Sequence, residues 1–214
     1  MTAGLLSVFA SVSPANAAPT LPITEFRHIC QRATQQAEAG HALPEDLLTA
    51  ISFAESGQWD AEEKAIIAWP WTVNNGGKGK FFPNKKAAIA FVRELQRKGE
   101  RNIDVGCMQV NLNYHPDAFS SLEEAFDPKA NARYAASFLG KLQKNHKSWS
   151  AAVQRYHSAD PVRGGAYRER VLNFWNKKQR NSAEVYRQSV IIAYKQQRAE
   201  RLRERNLQLM ARTR

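Results

Sequence analysis

The chain has 214 residues, 43% of them hydrophobic, which is enough to bury one substantial core with appendages. It contains no run of about 18 apolar residues, so a membrane-spanning helix of ordinary length is excluded. The net charge of +11 is uneven: residues 177–214 hold eleven Lys and Arg against three acids, a surplus of eight, and the body keeps only three units.

In chain order, residues 4–12 are apolar and are followed by Ala15-Asn16-Ala17, a small-x-small cleavage site. Residues 1–17 therefore predict an export signal, with a mature protein that begins near Ala18 and works outside the cytoplasm. Two readings fit Cys30 and Cys107 in that compartment: one disulfide, or two thiols buried among apolar neighbours. Residues 24–39 predict an amphipathic helix with Phe26, Ile29, Cys30, Ala33 and Ala37 on one face and Gly40 as its stop.

A second helix is predicted to start at Pro44, where Leu48, Ile51 and Glu55 recur at i, i+3 and i+7. Glu55 then points with the apolar residues, and Gly57 supplies a left-handed stop. A half-buried carboxyl at the negative end of a helix dipole has a raised pKa, which suits a general acid near neutrality. An exposed helix-end glutamate is the competing reading of this stretch.

Residues 69–83 place two aromatic, β-prone pieces around Asn-Gly-Gly and predict a small β-hairpin. Trp69, Trp71, Phe81 and Phe82 either plug a core or line a groove, where flat aromatic faces suit stacking on sugar rings. Asn84 caps a helix carrying Ala88, Ile89, Val92 and Leu95 up to Gly99. Residues 102–111 have too few charges for a surface loop and are too short for a helix; they predict a backbone bend that presents Gln109 and Asn111 into a pocket.

Ser120 with Glu123 offers a capping box, and Asp127-Pro128 starts a helix bearing Ala132, Ala135, Ala136, Leu139 and Leu142. Ser148 caps another helix through Val153 and Tyr156. Residues 158–165, with Pro161 and two glycines, predict a loop before a helix with Val171, Phe174 and Trp175 facing inward. A long, charged helical pattern runs from about residue 182, too irregular for a clean heptad.

Glu55-Ser56, the segment Gly106-Cys107-Met108-Gln109-Val110-Asn111, Tyr156, and Tyr167-Arg168-Glu169-Arg170-Val171 occur in an order and context that resembles the soluble lytic transglycosylases of glycoside hydrolase family 23. The resemblance covers residues 42–176. It implies a mostly α, lysozyme-like α+β catalytic domain over 18–176 with a small β-hairpin, followed by a basic helical extension over 177–214. The implied activity is periplasmic cleavage of the β-1,4 bond between N-acetylmuramic acid and N-acetylglucosamine in peptidoglycan strands, without added water and without a cofactor or metal.

Glu55 matches the family's single catalytic carboxylate, an acid that becomes a base while the substrate's N-acetyl group serves as internal nucleophile. The match further implies that Gln109 and Tyr156 position the N-acetyl group, that Ser56 hydrogen-bonds near the scissile bond and that Met108 packs the cleft floor. Tyr167 would orient the intermediate or Glu55, with Asn111 in the same set. Residues 60–101 would form one groove wall, with Trp71 facing substrate.

The chain departs from the family pattern where Cys107 replaces Leu or Ile and where Arg155-Tyr156-His157-Ser158-Ala159 replaces Ala-Tyr-Asn-x-Gly, which sets His157 beside the cleft. Asp60, Glu62, Glu63 and Asp104 could in principle serve as a base for hydrolysis, but they lack the apolar phase of Glu55 and most of them are expected in solvent. His115 and His157 are too isolated for a metal site. The basic tail would meet cell-envelope machinery or an anionic surface, and export argues against nucleic acid. The rival functions are a cell-wall-binding or assembly factor with a lysozyme-like docking domain, and a lysozyme-type hydrolase.

Overall fold

Helices dominate the computed structural model, which describes residues 26–77 and 79–212; the expected export signal at 1–17 lies outside them. Helix α1 (Ile29–His41) buries Cys30, Ala33, Thr34, Ala37 and Glu38. It runs through Gly40 and ends where Ala42 turns left-handed at φ 51°, so the glycine is not the stop.

Helix α2 (Leu47–Ser56) starts three residues after Pro44, because Asp46 sits at φ 61° and cannot extend the helix backward. The first N–H groups of a helix have no partner within it. Here Glu38 supplies one from α1: its carboxylate accepts from the Asp46 N–H at 3.0 Å and the Thr49 N–H at 2.8 Å, and from the Thr49 hydroxyl at 3.2 Å.

Gly57, expected in the left-handed region, is extended at φ −69° and opens strand β1 (Gly57–Asp60). A Cβ there would lie 2.2 Å from the Phe53 carbonyl oxygen, so a close approach, not handedness, demands glycine. Strand β1 pairs antiparallel with β2 (Ala65–Ala68) in a hairpin that the sequence reading did not anticipate. The expected hairpin forms from β3 (Thr72–Asn74) and β4 (Lys80–Phe81).

Helix α3 (Lys85–Arg97) is capped by Asn84, whose side chain accepts from the Ala87 N–H. Two further strands, β5 (Asp104–Val105) and β6 (Val110–Asn111), complete a four-stranded sheet of order β4-β3-β5-β6. The bend predicted over 102–111 is therefore a tight turn at the edge of this sheet.

Helix α4 (Leu122–Ala125) is capped by Ser121, with Glu124 reaching back to Ser120. The capping box thus sits one residue later than Ser120 and Glu123 suggest. Helices α5 (Pro128–His146) and α6 (Trp149–His157) begin at the caps Asp127 and Ser148, as expected. Helix α7 (Pro161–Arg212) opens earlier than predicted and takes in both glycines of the expected loop. It continues across residue 177, and from 179 to 203 every residue is exposed.

Two cores result. One joins α1, α2, α5, α6 and the start of α7 around Leu47, Leu48, Ile51, Met108, Leu139, Val153 and Val171. The other lies between the four-stranded sheet and α3 and α4, around Trp69, Trp71, Val73, Val92, Ile103 and Phe126. Each fully buried side chain of this size contributes about 1.5–3 kcal/mol. Cys30 and Cys107 form a disulfide with a Cα–Cα distance of 5.7 Å, which decides between the two cysteine readings. Among the described residues, no helix is long and apolar enough to cross a membrane.

Candidate active site

The C-terminal end of α2 and the β5–β6 turn border one cavity of about 680 Å³. The turn is built around two left-handed residues. Gly106, at φ 82°, passes so close to Asn131 that a Cβ would sit 2.5 Å from its amide nitrogen. Asn131 is fully buried and ties the turn down: its oxygen accepts from the Met108 N–H at 2.8 Å, and its amide donates to the carbonyls of Val105 and Ala125, each at 3.0 Å.

Gln109 takes φ 45°, an unfavourable region for a non-glycine residue. Its own amide holds it there by donating to the Thr72 carbonyl at 3.1 Å and the Gly106 carbonyl at 2.9 Å. The amide oxygen of Gln109 has no hydrogen-bond partner among the described residues, and Gln109 lines the cavity.

Glu55 lies on the cavity wall, where its Oε1 accepts a 2.6 Å hydrogen bond from the Tyr167 hydroxyl. Burial pushes its carboxyl up to about 7; the Tyr167 bond and the nearby Arg170 pull the other way, and Asp104 adds a smaller upward push. Near neutral pH, both protonation states are populated. Burial also raises the phenols of Tyr156 and Tyr167 well above their ordinary value, so both stay neutral donors.

The structure brings Glu55, Gln109, Asn111 and Tyr156 onto one cavity, with Tyr167 buried behind Glu55. The Tyr156 hydroxyl donates to the Met108 carbonyl at 3.0 Å and thereby fixes both the ring and the turn. The remaining expected residues sit differently. Ser56 is 1% exposed, and its hydroxyl donates to the Cys107 carbonyl at 2.8 Å, so it clamps the turn to α2 and does not open on the cavity. Met108 is wholly buried beneath the turn.

Asn111 borders the cavity with its hydrogen-bonding capacity fully engaged. Its amide donates to Asn102 and Asp104, and its oxygen accepts from the N–H groups of Asn113 and Tyr114. Trp71, expected on the groove, is 6% exposed in the second core against Phe26 and Trp69. It lies in the turn just before β3, where its carbonyl accepts from the Phe82 N–H at 2.9 Å.

Several cavity residues escaped the sequence reading. Asp104, discounted for lacking the apolar phase of Glu55, lines the cavity; burial raises its pKa while the bond from Asn111 opposes the shift. The signal was its place opposite Asn111, visible only once β5 and β6 are paired. Tyr134 and His115 hydrogen-bond at 2.9 Å on another part of the wall, beside Phe138. His157, expected beside the cleft, does line the cavity at the end of α6, where it stacks on Tyr167. Among the described residues, no group of three or more His, Cys, Asp or Glu could hold a metal ion.

A smaller cavity of about 240 Å³ lies beside the β1–β2 hairpin, lined by Phe53, Trp59, Ile66 and Phe174, and has no counterpart of the Glu55–Tyr167 pair. No protein-family model, no curated protein and no solved structure matches the chain.

Proposed function

We propose that the protein is a peptidoglycan lytic transglycosylase that acts in the periplasm. The observation that carries this reading is Glu55: a carboxyl pushed up to about 7, held by one phenol, opening on a cavity large enough for sugar rings. The motif resemblance over residues 42–176 and the disulfide, a bond of oxidising compartments, support it further.

In this mechanism Glu55 gives its proton to the glycosidic oxygen as the bond to C1 of the muramoyl residue breaks. The carbonyl oxygen of the substrate's N-acetyl group closes on C1, giving an oxazolinium intermediate and releasing the other half of the strand. Gln109 supports this step by offering its amide oxygen to the N-acetyl N–H. Tyr167, still neutral, donates to Glu55 and stabilises the carboxylate that the first step leaves. Glu55 then takes the proton of the C6 hydroxyl, whose oxygen attacks C1 and displaces the N-acetyl oxygen. The product is a 1,6-anhydro end, Glu55 regains its proton, and no water is consumed. The exposed basic stretch of α7 supports an encounter with an anionic surface or with cell-envelope machinery.

Asp104 favours a second reading. A second carboxyl on the same cavity is the group a lysozyme-type hydrolase would use to steer water. Digestion of purified sacculi followed by mass spectrometry separates the two. Soluble 1,6-anhydromuropeptides, absent with Glu55→Gln, are the expected result. Products one water heavier identify a hydrolase, and equal clearing by wild type and variant indicates a wall-binding protein instead.

A further inference from the structure

We infer that His157 is a positioning residue that holds the Tyr167 hydroxyl on Glu55; the inference rests on the proposed role of Glu55. The imidazole closes α6 and lies flat against the Tyr167 ring, with centroids 4.5 Å apart and planes 8° from parallel. Tyr167 is 3% exposed, so a shift of its ring against that neighbour would carry the hydroxyl off Oε1 of Glu55, 2.6 Å away. Arg170 also lies over the Tyr167 ring, 5.4 Å from its centroid.

A flat, uncharged side chain suits this place. The charged or titratable groups around His157 are Arg155 and Tyr156 on its own helix, Asp160 just before α7, Arg163, Tyr167 and Arg170 on α7, and Glu55 on α2. Burial, then Arg170 and Arg163, hold the imidazole below its ordinary value, so it stays neutral where Glu55 titrates. An imidazolium would add positive charge beside Glu55 and favour its carboxylate, weakening the acid. His157 thus fixes the ring without disturbing the proton that the ring serves.

The test compares His157→Ala and His157→Asn, which remove the flat ring, with His157→Phe, which keeps it. In each full-length variant the Glu55 carboxyl is titrated by carbon-13 NMR, and kcat and KM are measured on peptidoglycan strands across pH. The Tyr167 bond favours ionised Glu55, so loosening it in the Ala and Asn variants should raise the Glu55 midpoint by ~0.5 unit. Their kcat should fall about tenfold, with KM within about twofold of wild type, as expected for a misplaced catalytic group. The Phe variant should return both values toward wild type. An unchanged Glu55 midpoint in the ring-less variants, or a Phe variant that behaves like them, overturns the assignment. His157 is open on its cavity side, and the Asn and Phe variants decide the question should the Ala variant fail to fold. If wild type releases no glycan product, the proposed activity fails, while the NMR titration still decides the role of His157.

Discussion

The two ends of α2 each meet a glutamate raised by burial, and the donors around each make them different chemical objects. At the N-terminal end, Glu38 is 4% exposed and receives two backbone N–H groups and a hydroxyl. Burial pushes its pKa up while those bonds pull it down. Its oxygens complete the helix, so it has no capacity for turnover chemistry. At the C-terminal end the backbone offers carbonyls, and among the described residues Glu55 receives only the Tyr167 hydroxyl. One helix therefore makes a structural carboxylate at the end rich in donors and a proton-transfer group at the end that lacks them.

The sharpest way to break this contrast is Glu55→Gln. Activity should fall by about three orders of magnitude, within the range for loss of a general acid–base group, with near-UV circular dichroism unchanged. The same change should stabilise the fold above pH 7. Glu55 is raised in the folded state, so wild type binds its proton more tightly when folded and loses that stability as pH climbs from about 4.5 to about 7. The variant has no such loss. Its advantage in thermal unfolding should be near zero at pH 4 and on the order of 2 kcal/mol at pH 8, allowing for partial exposure.

Glu38→Ala should do the reverse. Stranding the Asp46 and Thr49 N–H groups should destabilise the fold by roughly 3 kcal/mol in urea unfolding, with kcat per folded molecule unchanged. A large loss of kcat at full folding would erase the distinction between the two ends. Tyr167→Phe removes the hydroxyl that donates to Glu55. That should lower kcat about tenfold and move the pH profile to the alkaline side, because ionised Glu55 loses its partner. Asp104→Asn should have the smallest effect. Removing a nearby negative charge should lower the Glu55 midpoint by ~0.5 unit or less and change kcat less than about threefold. Loss of all activity in that variant would assign Asp104 to the chemistry and favour hydrolysis.

The helical parts of the fold were legible because their signals are local. Asn84, Asp127 and Ser148 cap helices within three residues of themselves, and the bend at Gly106 is marked by its glycine. The β1–β2 hairpin was not legible. Its turn is closed by Asp60 accepting from the N–H groups of Glu62 and Glu63, and Asp-Ala-Glu-Glu reads equally well as the start of a helix.

At the site, Glu55 could be found from helical phase, and Gln109 and Tyr156 from the motif. Ser56 was expected near the scissile bond but is buried against Cys107, and Asn111 reaches the cavity as expected with its polar groups already satisfied by Asn102, Asp104 and the 113–114 backbone, partners that only the folded chain assembles. Trp71 follows the same logic: an aromatic beside a turn shows no preference for groove or core until Phe26 and Trp69 are packed against it. Asp104 was discounted because helical periodicity says nothing about a two-residue strand.

The disulfide carries a consequence of a different kind. Cys107 lies between Gly106 and Met108 in the site turn, while its partner Cys30 lies on α1, which supplies no residue to the large cavity. The two are 77 positions apart, so the closed bond turns α2, both hairpins and α3 into a single ring even when the chain is unfolded. A ring of that size withholds about 4.5 kcal/mol of chain freedom from the unfolded state in the loop-entropy account. The shape of the cleft is therefore linked to the redox history of the molecule: a chain that folds before oxidation must hold the turn by hydrogen bonds, those of Ser56, Asn131, Tyr156 and Gln109 among them.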